Sequence, residues 1–77
     1  MTGTQAKIEL SLSNEEALVF FEWLSSLEGS ASAPDADSAE QAVIWKIEGR
    51  LESTLQDVFA ADYTERLAKA RSVVTGK

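Results

Sequence analysis

Polar and apolar positions along the chain fall into four stretches with two different periods. From Asp37 to Phe59, apolar residues recur at Ile44, Ile47, Leu51, Leu55 and Val58, spaced three or four apart, with Glu40 one turn ahead of Ile44. Lys46, Arg50, Ser53 and Asp57 take the other side. This period near 3.6 predicts a long amphipathic helix, central to a small helical domain. Between Ala6 and Leu12 the period is two instead: Ile8, Leu10 and Leu12 alternate with Lys7, Glu9 and Ser11, which predicts a half-buried strand. One strand leaves its backbone donors and acceptors unpaired, so pairing with the same strand of a second copy is expected.

Ser13 and Glu16 have the spacing of a helix-starting capping box. The helix they open, residues 14–28, is apolar nearly all round. Ala17, Phe20, Phe21, Trp23, Leu24 and Leu27 share one broad face, and Leu18 and Val19 lie outside it. The first face is expected to be the core and the Leu18–Val19 flank an interface with a neighbouring chain. Residues 29–36 read as a linker containing the only proline, with Gly29 near the helix end. Gly49, inside the central helix, marks an expected close crossing or bend. Trp45, at the edge of that helix's stripe, is placed either to roof the core or to anchor a partner. Asp62 and Glu65 repeat the capping spacing ahead of a last helix, residues 62–74, with Tyr63, Leu67, Ala70 and Val74 as its stripe. Residues 1–5 are polar and expected to be disordered. The expected fold is therefore mainly α: one N-terminal strand, then three helices with the second central, in a single domain over residues 1–77.

Composition removes most chemistry. The 77 residues hold no cysteine and no histidine. Disulfides, thiol nucleophiles, histidine-based triads and the usual zinc sites are excluded. No glycine-rich loop opens a helix to cradle a phosphate. Glu48 and Glu52, one turn apart, are the nearest thing to a carboxylate pair, and at that spacing they read as a solvated face. We therefore expect neither an enzyme nor a cofactor, and no catalytic, cofactor-binding or metal-ligating residue is assigned. No apolar run reaches the length of a membrane span, and no signal-peptide block is seen, so a soluble, cytoplasmic protein is expected.

The formal charge of -6 is uneven. Residues 1–61 hold three basic and eleven acidic residues, a net of -8, whereas residues 62–77 hold four basic and two acidic, a net of +2. An acidic body repels nucleic acid. A chain this short also has little core of its own, which favours completion by a partner. The expected function is that of a small acidic protein-interaction module of the accessory, immunity or inhibitor type. Self-association to a homodimer is its first expected contact and another protein its second. The expected interface is Ile8, Leu10, Leu12, Leu18, Val19 and Trp45.

Two resemblances accompany this reading. The pieces EEALVFFEWL (Glu15 to Leu24), AEQAVIWKIEGRLESTL (Ala39 to Leu55) and DYTERLAKAR (Asp62 to Arg71) resemble a pattern in short uncharacterised bacterial proteins. That likeness implies a bacterial origin and three helices, and no site. The order of strand, helix, connection and helix over residues 6–44 is also similar to the layout of ribbon-helix-helix proteins. It implies, as the alternative function, a DNA-binding regulator or antitoxin whose paired strands read the major groove through Lys7, Glu9 and Ser11. One lysine beside a glutamate suits an acidic groove poorly.

Overall fold

Ser13 starts the first helix as the spacing implies. Its hydroxyl accepts the Glu16 N–H at 3.0 Å, and its own N–H donates to Glu16 Oε1 at 2.8 Å, a complete capping box. The computed structural model describes residues 7–76 and contains three α-helices. They are α1 (Asn14–Leu27), α2 (Ala39–Thr54) and α3 (Tyr63–Thr75), with a short 3₁₀ turn at Asp57–Phe59. The chain is predominantly α. There is no strand among the described residues. Lys7 to Leu12 form an unpaired arm, with Ile8 97% and Leu10 79% exposed, and this overturns the expected N-terminal strand. Alternating side chains alone do not hold a strand together; it needs a ladder of backbone partners, and no segment among the described residues supplies one. Met1 to Ala6, and with them the expected disorder of residues 1–5, lie outside the described residues.

The hub of the fold is α1. The core gathers Ala17 and Leu18 of α1, Leu55 after α2, and Leu67 and Ala70 of α3. Val19, Phe21, Leu51, Val58 and Tyr63 pack round it. Leu18 is the most deeply buried side chain, at 1% exposure. On its other side α1 meets α2. The expected central position of α2 is thus corrected: it packs on one side of α1 while α3 takes the other.

The end of α2 explains this. A continuous helix to Phe59 would keep Leu55 and Val58 on the α2 stripe. Instead the hydroxyls of Ser53 and Thr54 both donate back to the Arg50 carbonyl, at 3.0 and 2.8 Å, and the helix stops at Thr54. Leu55 turns extended into the core, and the 3₁₀ turn carries Asp57 towards α1 and α3. At its other end α2 is capped by Ser38, with the Gln41 N–H donating to the Ser38 hydroxyl at 3.1 Å. Gly29, just past α1, takes the left-handed conformation at φ 78°. A Cβ at Gly49 would meet nothing within 4 Å, so no close crossing occurs there.

Leu18→Ala should cost about 2–5 kcal/mol, because a fully enclosed leucine leaves a cavity. Urea unfolding followed by circular dichroism measures it. A loss under about 0.5 kcal/mol, the size of a surface effect, would remove Leu18 from the core.

Candidate functional site

Two polar regions and one apolar groove stand out on the surface. The first polar region lies where the start of α1 meets the start of α3. Asn14 Nδ2 donates to Asp57 Oδ1 at 3.3 Å, Arg66 Nη1 donates to Asp57 Oδ2 at 3.4 Å, and Arg66 Nε donates to Asp62 Oδ1 at 2.7 Å. The hydrogen bond and charge of Arg66 hold the Asp62 carboxyl below its usual range. Asp62 therefore binds Arg66 instead of capping α3. The carboxylates here are tied to the fold and leave little to act on a ligand.

The second region joins the end of α1 to α2. The Ser25 hydroxyl donates to Glu48 Oε2 at 3.2 Å, and Trp45 Nε1 donates to Glu28 Oε2 at 3.0 Å. Burial pushes the Glu48 carboxyl up; Glu28 and Glu52 add repulsion, and the Ser25 hydroxyl works against them. Deeper in α2, Gln41 is 5% exposed and its Nε2 lacks a hydrogen-bond partner. No group of three or more acidic, histidine or cysteine side chains that could hold a metal ion occurs among the described residues.

The groove runs between α1 and the first half of α2. Phe20, Trp23, Leu24 and Leu27 recur at three and four along α1. Ala39, Val43, Ile44 and Ile47 do so along α2, with Glu40 the only ionisable group in the lining. Leu24, 2% exposed, is its floor. Trp23 and Val43 stand 57% and 55% exposed on its walls, and the Phe20 and Trp23 rings stack with centroids 6.3 Å apart. The space is about 470 Å³ and open to solvent. It suits an apolar partner and offers no polar chemistry.

The six residues expected to form the interface are not brought together. Ile8, Leu10 and Leu12 lie exposed on the arm. Leu18 is enclosed within the chain itself, which corrects its assignment to an interface. Val19 is half-buried against the core. Trp45 is 52% exposed beside Glu28, towards the far end of α1. The expected core face of α1 holds in part: Ala17 and Leu24 are buried and Phe21 packs on the core, Phe20 and Leu27 are half-buried, and Trp23 is exposed, while the Leu18 flank joins the core as well. The signal for this was present in the width of α1's apolar arc, which is more than one neighbour covers.

Comparison with protein-family models, curated proteins and solved structures found no match to this chain. None of the helices among the described residues is long and apolar enough to cross a membrane.

One polar tie between α1 and α3 gives a direct check on this geometry. The Tyr63 hydroxyl donates to Glu22 Oε1 at 2.6 Å. Burial, then the bond to Glu22 and that carboxylate's charge, push the phenol up to about 12. Tyr63 is the only tyrosine, so the absorbance of tyrosinate reads it alone. The folded chain should titrate near 12, and Glu22→Gln should move the midpoint back towards 10.0, the phenol's ordinary value. Because the unfolded phenol ionises first, the stabilisation from this group is complete below about pH 10 and is lost as pH rises towards 12. A wild-type midpoint at the ordinary value would mean that α3 is not seated on α1 this way.

Proposed function

We propose that this chain is a small acidic, non-enzymatic protein-interaction module that works in the cytoplasm as a homodimer, in the manner of accessory, immunity or inhibitor proteins. The observation that carries the reading is the open α1–α2 groove. Trp23 and Val43 are more than half exposed on its walls, and its lining holds a single ionisable group. Contiguous apolar surface of this kind on a small domain marks an association site. The low local charge matters as well. Two chains of -6 repel each other as whole bodies, but that repulsion falls off within about 8 Å at physiological salt, so an almost uncharged face is where they meet at least cost.

A DNA-reading role would need Lys7, Glu9 and Ser11 on a paired strand. In this chain they sit on an unpaired arm, and no observation favours that role.

The test is the solution mass by light scattering over a dilution series. The wild type should move between dimer and monomer. Ile47→Glu, which puts a carboxylate on the groove wall, should shift the midpoint by at least about tenfold, the effect of about 1.4 kcal/mol. Its helicity should stay unchanged. A wild type that is monomeric throughout, or an Ile47→Glu variant that associates as the wild type does, would overturn the reading.

A further inference from the structure

Resting on that reading, we infer that the groove of each chain is filled by the N-terminal arm of a second copy, with Ile8, Leu10 and Leu12 pressed onto α1 and α2.

Three observations converge. The first is area. A stable protein interface needs about 800 Å² from each partner. Trp23, 57% exposed and worth roughly 150–250 Å² when whole, and Val43, 55% exposed, make up most of the open groove wall, on the order of 200 Å². The arm adds apolar surface of its own, since Ile8 is 97%, Leu10 79% and Leu12 41% exposed. Neither feature suffices alone. Two chains that each contribute one arm and one groove come nearer to the requirement than groove against groove.

The second is length. Ile8 to Leu12 spans about 13 Å at about 3.3 Å per extended residue. The groove extends from Phe20 to Leu27 on α1 and from Ala39 to Ile47 on α2, about 11–12 Å at about 1.5 Å per helical residue. Alternation sends Ile8, Leu10 and Leu12 to the helices and Lys7, Glu9 and Ser11 to water. The arm's backbone lies along an open groove and stays hydrated, so it needs no strand partner. Run with its N-terminal end towards Glu40, the arm sets Lys7 beside the one ionisable group of the lining.

The third observation decides between a chain's own groove and its neighbour's. Ser13, held extended at φ -67° and ψ 164° by both bonds of the capping box, fixes where the arm leaves α1. Phe20, the near end of the groove, lies about 10 Å along the helix from Ser13. An arm doubling back would cover that distance with its first three residues, at about 3.3 Å each. Leu12 would then fall short of the groove, Leu10 would reach only its near edge at Phe20, and Ile8 alone would lie well inside it. A second copy has no such tether and receives all three.

The test uses the full chain and a mixed sample. The sequence has no cysteine, so Lys7→Cys places a single spin label on the arm. Labelled chain is mixed with an equal amount of isotope-enriched, unlabelled chain. The amide signals of Leu27, Val43 and Ile47 in the enriched chain should broaden, and those of α3 should not. Leu10→Asp, at a largely exposed position outside the helices, should weaken the dimer at least about tenfold by light scattering with helicity unchanged. A dimer that forms without broadening at the groove, or that Leu10→Asp leaves unchanged, overturns the arm assignment while the groove remains an association site. A chain that stays monomeric overturns both.

Discussion

Everything in this fold depends on α1 being able to bury Leu18. That side chain is enclosed by residues far away in sequence, Leu55, Leu67 and Ala70, and their convergence decides which side of α1 belongs to α3. A domain of this size has few such contacts to lose, and a sequence without cysteine has no disulfide to support the core. Its supports are polar ties at the margins. Tyr63 reaches Glu22 across α1 and α3, Arg66 gathers Asp57 and Asp62 by the 3₁₀ turn, and Ser25 and Trp45 meet Glu48 and Glu28 between α1 and α2.

Once α3 has taken the Leu18 side, the other apolar side of α1 has only α2 to cover it. Leu24 is covered, but Trp23 is not. A groove between two helices is the geometric consequence, because two cylinders in contact shelter the seam between them and leave its walls open. The function proposed for the chain follows from that incomplete coverage. In the proposed dimer the acidic bodies meet where the surface is nearly uncharged, with the apolar arm of one chain against the apolar walls of another.

Much of the architecture was legible in the residues. The capping box at Ser13 and Glu16 locates the start of α1, and the period near 3.6 identifies helices around Ile47 and Leu67. Three features were not legible. The alternation of Ile8, Leu10 and Leu12 reads as a strand because periodicity reports which side chains share a face, not whether the backbone finds a partner. The assignment of Leu18 to an interface failed because α1 is apolar on both sides, and its own sequence does not say which side α3 will choose. The stop at Thr54 was hidden for a related reason: Ser53 and Thr54 suit a helix's polar face as readily as its end. The groove was half visible. Ile44 and Ile47 belong to the expected α2 stripe, but Val43 does not, and Trp23 and Leu27 were placed in a core they only partly enter.

The proposed dimer requires the Trp23 side of α1 to be open in one copy and closed by another. The emission of Trp23 alone, in the Trp45→Phe variant, reports on this as concentration rises. At high dilution it should have the long wavelength of an indole in water. On concentration it should shift to shorter wavelength over the range in which the mass doubles. Emission that stays at the wet limit while the mass doubles would place the interface elsewhere.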